Sequence, residues 1–114
     1  MSNISTHILD TSRGEPAAGI VVALDFRATA DTWTRLADAK TDSDGRIKAL
    51  LPAPKKPEPG IYRLRFETGA YFAWRNQPAF FPYVEVVFTI QDPARHHHVP
   101  LLLNPFGYST YRGT

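Results

Sequence analysis

The sequence predicts an all-β protein, a β-sandwich of seven to eight short strands with one short helix. Three observations predict it. Apolar residues recur at every second position in several segments, which is the period of a strand with one face on a core. Turn signals separate those segments, and Asp42-Ser43-Asp44-Gly45 is the strongest, because Asp and Gly accept the positive φ of tight hairpins. Residues 52–60, Pro-Ala-Pro-Lys-Lys-Pro-Glu-Pro-Gly, read as an extended loop with no helix or central strand, since proline lacks the N–H that a ladder needs.

Each element follows in order. Ile4, Thr6 and Ile8 alternate with Ser5, His7 and Leu9, and Arg13-Gly14-Glu15-Pro16 breaks the chain after them. Ile20, Val22, Leu24 and Phe26 alternate with Val21, Ala23, Asp25 and Arg27. Ala30-Asp31-Thr32 sits between that strand and a second strand-like run. Tyr62, Leu64 and Phe66 alternate with Arg63, Arg65 and Glu67. Residues 69–76 lack alternation and are expected to form the helix ahead of Pro78. Val84, Val86, Phe88 and Ile90 alternate with Glu85, Val87 and Thr89, and His96 to Tyr111 reads as two strands joined near Asn104-Pro105-Phe106-Gly107. Short strands with turns between them are the pattern of a sandwich.

A chain of 114 residues fits one domain, spanning residues 1–114. A domain of that size hides roughly 65% of its unfolded surface, enough for a real core. There are no cysteines, which excludes disulfides, thiolate catalysis and cysteine-built zinc sites. The net charge of +2 is too weak to argue for nucleic acid or anionic membrane. The charge is unevenly placed, however. No Asp or Glu follows Asp92, while Arg95, three His and Arg112 do, a balance that suits a small anion. Residues Met1 to Asp10 show no basic n-region and no apolar h-region, and apolar runs stay far below the ~20 residues of a membrane span. With cysteine absent as well, the expectation is a cytoplasmic protein.

Several residues could carry chemistry. His7 lies on the less apolar face of the first strand beside Ser5; a lone His there is commonly structural. His96 and His98 share a strand face and His97 points away. That spacing also suits zinc or copper, yet two ligands do not make a site, and a solvated cluster is the alternative. Arg46 leaves the Asp42–Gly45 turn. It is either a surface charge or a bidentate fork for a planar anion. The end of the chain, Gly107-Tyr108-Ser109-Thr110-Tyr111-Arg112-Gly113-Thr114, is dense in hydroxyls and carries one cation.

Three stretches together resemble the 5-hydroxyisourate hydrolases of the transthyretin-related family. They are Ser5-Thr6-His7-Ile8-Leu9-Asp10 with Gly14 and Pro16-Ala17; Lys40-Thr41-Asp42 with Asp44-Gly45-Arg46; and His96 with His98-Val99-Pro100-Leu101-Leu102-Leu103, running through Pro105 to Tyr111-Arg112-Gly113-Thr114. Tyr71-Phe72 and Phe80-Phe81-Pro82 also match. The terminal tetrapeptide is the most specific signal, because it separates the hydrolases from hormone carriers. Family members usually end in Ser where this chain has Thr114, and often carry Tyr at His97 and Ser at Asn104.

The resemblance implies a prealbumin-like, transthyretin-like sandwich. It implies a homotetramer with sites at the dimer–dimer interface. The implied activity is hydrolysis of an oxidised purine, 5-hydroxyisourate, to 2-oxo-4-hydroxy-4-carboxy-5-ureidoimidazoline, without metal or organic cofactor. The catalytic set it implies is His7, Arg46 and His98, with Tyr111 closing the pocket and Ser109 as a further pocket hydroxyl. Two alternatives stay open: a transthyretin-like hormone carrier without catalysis, and a His-x-His metal-binding β-module.

Overall fold

The structure, a computed structural model, describes residues 3–114. Met1 and Ser2, which belong to the segment read for a leader and to the expected domain span, lie outside the described residues. Nine strands and one helix follow in chain order: β1 (Ile4–Asp10), β2 (Glu15–Pro16), β3 (Val21–Thr29), β4 (Thr32–Lys40), β5 (Arg46–Ile47), β6 (Gly60–Phe66), α1 (Thr68–Trp74), β7 (Val84–Ile90), β8 (His97–Asn104) and β9 (Gly107–Thr110). β2 and β5 have two residues each, too few to show alternation. The other seven strands meet the expected number.

Two sheets result. One runs β2-β1-β8-β9, with β5 also paired to β1; the other runs β4-β3-β6-β7. The core fills the space between them. Ile4, Ile8 and Leu101 come from the first sheet and Leu24, Leu64, Phe66 and Val84 from the second, all essentially without solvent exposure. Each such side chain contributes about 1.5–3 kcal/mol relative to leaving it in water. Tyr62 is buried among them, edge-on to Phe26 and stacked on Phe88. Its hydroxyl donates to the Glu58 carbonyl at 2.6 Å, so the polar tip is satisfied.

β1 and β8 run parallel, from Ile4 opposite His97 to Asp10 opposite Leu103. The side-chain alternation of strands then sorts the residues. Ile4, Thr6 and Ile8 turn inward with Val99, Leu101 and Leu103. Ser5, His7 and Leu9 share the opposite face with His98, Pro100 and Leu102. Thr6 secures the pair, because its buried hydroxyl donates to the Val99 carbonyl at 2.6 Å.

Two boundaries differ from the sequence expectation. The helix ends at Trp74 rather than within residues 75–76, because Asn76 adopts a left-handed φ of 57°, a conformation Asn tolerates better than most residues. The proline-rich loop gives way at Gly60, which opens β6, an interior strand of its sheet. Its φ of 149° and the Phe26 ring, 2.7 Å from where a Cβ would sit, leave room for glycine alone. No helix among the described residues is long and apolar enough to cross a membrane.

Candidate functional site

β1 sits between β5 and β8, and this places the predicted residues together. His7 is opposite Arg46 across the antiparallel β1–β5 pair. It is also opposite Pro100 across the parallel β1–β8 pair, in which Ser5 is opposite His98. One strand step is about 3.3 Å and neighbouring strands lie about 4.8 Å apart. His7, Arg46 and His98 therefore share one patch of one sheet face.

The turn before β5 aims Arg46. Asp42 accepts backbone N–H bonds from Asp44 and Arg46 at 2.9 Å each through Oδ1. The Arg46 N–H bond is the leading reason the Asp42 carboxyl titrates below the ordinary aspartate range. Gly45 has φ +74°, and its missing Cβ would lie 2.4 Å from the Ile8 carbonyl oxygen. Only glycine lets the turn close onto β1, where the Ile8 N–H donates to the Gly45 carbonyl at 2.8 Å.

Ser5 is the hub of the histidine cluster. Its hydroxyl lies 2.7 Å from His96 Nε2 and 2.7 Å from His98 Nδ1. The Nε2 of His98 is left for the cleft. The chain end packs onto the same ring: the Gly113 N–H donates to the His98 carbonyl at 2.8 Å, and a Cβ on Gly113 would lie 2.5 Å from His98 Cδ2. A cleft of about 260 Å³ opens here, lined by Ser5, Thr6, Arg46, Lys48, His96, His98 and Thr114 among others. It holds two permanent cations and no Asp or Glu side chain. Burial first, then the charges of Arg46 and His7, hold the His98 pKa below the usual histidine value. The ring is thus neutral near pH 7.

The sequence-predicted residues divide as follows. Arg46 and His98 line the cleft, and His7 is the cross-strand neighbour of Arg46 rather than a wall residue. Tyr111, 57% exposed, lines an adjoining recess with Phe88, Val99, Arg112 and His98 itself. Ser109 stands opposite Leu102 in the β8–β9 pair, so alternation puts it on the His98 face. His97 is buried, with Nδ1 3.0 Å from the Arg95 carbonyl, pointing away from its neighbours as strand geometry requires. Ser5 and Lys48 are wall residues that were not singled out for the site. Ser5 precedes His7 by two on β1, the spacing of a shared strand face, and Lys48 lies just past the end of β5. The ring nitrogens of His96 and His98 that face Ser5 are taken by its hydroxyl. Among the described residues no three His, Cys, Asp or Glu side chains gather as a metal cluster.

Comparison with known proteins agrees with this fold. Residues 4–113 match the HIUase/Transthyretin family. The 5-hydroxyisourate hydrolase of Salmonella typhi is 50% identical over 114 residues, covering 99% of this chain and 82% of that protein. The structure of Klebsiella pneumoniae 5-hydroxyisourate hydrolase superposes with a TM-score of 0.86 at 41% identity, covering 99% of this chain and all of the other. Sea bream transthyretin in complex with thyroxine superposes at 0.89 with 32% identity, over 97% of this chain and 94% of that one. A two-sheet sandwich, a family match over residues 4–113 and a relative 50% identical across 99% of this chain lead to one conclusion: the chain belongs to the HIUase/Transthyretin family.

Proposed function

We propose that the chain, acting as one domain over residues 1–114, hydrolyses 5-hydroxyisourate in urate breakdown. The observation that carries this reading is the meeting of His7, Arg46 and His98 on one sheet face, beside a cleft that holds two permanent cations and no Asp or Glu side chain. A planar heterocycle rich in carbonyls needs donors and positive charge around it, and the cleft supplies both.

The chemistry follows from the groups. Neutral His98 has the lone pair a general base needs, and an imidazole works near neutral pH without large tuning. It takes a proton from water as the oxygen attacks the ring carbonyl. Arg46 holds the oxygen on which negative charge develops, a contribution of about 10²–10³ in rate for one such donor. His7 gives an N–H hydrogen to the departing ring nitrogen and takes one back from the new carboxylic acid. No step calls on a metal or an organic cofactor. Tyr111 and Ser109 contact the substrate from the β9 side.

The same reading makes the protein a homotetramer with sites at the dimer–dimer interface. Leu9 and Leu102, both half-buried, flank the polar patch on its own sheet face, and a second dimer laid there would cover them and narrow the open cleft. The absence of cysteine suits a reducing compartment such as the cytoplasm.

The test is ultraviolet decay of freshly generated 5-hydroxyisourate with purified protein, with and without chelator. Accelerated decay in both supports the reading. No acceleration, together with tight binding of thyroxine, would replace it with a carrier.

A further inference from the structure

Three groups form a chain that the mechanism above leaves unused. His98 Nδ1, Ser5 Oγ and His96 Nε2 are linked by two contacts of 2.7 Å. Ser5 is only 7% exposed, whereas His96 is open to solvent. The buried end of the chain is thus the imidazole at the cleft, and its far end is in water. Among the described residues the two rings are the hydrogen-bond partners of this hydroxyl.

A hydroxyl carries one proton and can donate to one ring only. Between two neutral imidazoles the hydrogens therefore run in a single direction. Either His98 Nδ1–H donates to Ser5 and Ser5 donates to His96 Nε2, or both bonds are reversed. The tautomer of one ring fixes the tautomer of the other. In the first arrangement His98 Nε2 is a lone pair facing the cleft; in the second it carries hydrogen.

The hydrolysis also needs an exit for a proton. Water and the ring acyl-urea bond give a ureido N–H and a carboxylic acid; the ureido nitrogen is not basic and near pH 7 the acid is ionised, so each turnover releases one proton. The permanent cations that line the cleft are Arg46 on β5 and Lys48 beyond it, the His96 imidazole lies beside His98, the His7 imidazole stands next to Arg46 across the β1–β5 pair, and no Asp or Glu side chain is among the lining residues. A proton held on His98 is disfavoured by partial burial and by the Arg46 charge beside it.

We propose that Ser5 and His96 form a proton relay that positions His98 as base and carries its surplus proton to solvent. This rests on the hydrolase reading. As His98 Nε2 takes a proton from water, its Nδ1–H passes to Ser5 Oγ, the Ser5 hydrogen passes to His96 Nε2, and His96 Nδ1–H passes to bulk water. Each residue takes up one proton and releases one, and no electrons are transferred. The tautomers end reversed, and between turnovers, with the cleft open to water, His98 Nε2–H gives its hydrogen to bulk water as His96 Nδ1 takes one back, which restores the first arrangement. Ser5 and His96 are positioning residues; neither touches the substrate in this scheme.

The experiment compares wild type with Ser5→Ala, Ser5→Thr and His96→Gln. It reads kcat and KM across pH, and imidazole tautomers by nitrogen NMR. Ser5→Ala is expected to lower kcat at least about tenfold, below the full effect of losing a general base, with KM within about twofold. Ser5→Thr keeps the hydroxyl and should recover most of that loss. His96→Gln, at an exposed position, should lower kcat and shift the pH profile. In wild type the His98 tautomer should change as His96 titrates, and in Ser5→Ala it should not. Equal losses in Ser5→Ala and Ser5→Thr with an unchanged pH profile, or a His98 tautomer indifferent to His96, would overturn the relay. If Ser5→Ala does not fold, an unaltered kcat and pH profile in His96→Gln overturns it. If wild type fails to hydrolyse 5-hydroxyisourate, the hydrolase reading falls, while the nitrogen shifts still decide the Ser5 linkage.

Discussion

His7 and Arg46 stand directly opposite each other across the β1–β5 pair. The pairing turns a two-residue strand into a functional element, because it sets a guanidinium beside an imidazole on the face that also carries His98. What aims Arg46 is a carboxylate-capped turn whose glycine lies against the β1 backbone.

Arg46→Lys should therefore be a poor substitute. A lysine keeps the charge but not the planar fork. Turnover of 5-hydroxyisourate is expected to fall by about 10²-fold in Arg46→Ala and by somewhat less in Arg46→Lys. Thermal melts should match wild type, since the Arg46 side chain is exposed.

Gly45→Ala is expected to act on both stability and rate. The left-handed backbone alone costs about 1–2 kcal/mol for a residue with a Cβ. The 2.4 Å approach to the Ile8 carbonyl oxygen forces β5 away from β1 as well. Denaturant titration should show the loss, and kcat should fall because Arg46 moves with β5.

Gly113→Ala should separate activity from stability. The new methyl would lie 2.5 Å from His98 Cδ2 and 3.1 Å from Pro100 Cγ. The chain end can lift away without disturbing the core. Turnover is expected to drop about tenfold or more, as misplaced catalytic groups commonly cost, while the melting temperature changes little.

The pH dependence has a defined sign. Burial, then Arg46 and His7, lower the His98 pKa, and burial also lowers that of His97. The unfolded chain takes up these protons first as pH falls through about 6.5. Stability from the two neutral rings is therefore full above that value and declines below it. The acid limb of kcat should have its midpoint below about 6.5, and Arg46→Gln should move that midpoint upward. Melting and rate profiles across this range check both statements.

Much of this was legible in the sequence, for physical reasons. Alternation in Ile4–Leu9 and Val84–Ile90 exposed strands because each buries one face. His96 and His98 fell on one face and His97 on the other because the strand period is two. β2 and β5 escaped notice because two residues make no period. The helix boundary was missed because a left-handed Asn76 leaves no compositional trace. Arg46 was legible as a turn-exit residue, and its grouping with His7 came from the family resemblance alone, since register between distant strands is fixed by packing and leaves no local trace. Ser5 was visible beside His7, but its bond to two histidines depends on the parallel β1–β8 pairing.

The central claim is that imidazole and guanidinium groups from β1, β5 and β8 act together on one substrate. The most direct measurement is the initial rate of 5-hydroxyisourate decay with wild type and with His98→Ala at equal concentration and in chelator. The account expects wild type to accelerate decay and His98→Ala to lose about 10²-fold or more of that acceleration, with the fold intact by circular dichroism. Equal rates for the two proteins would contradict it.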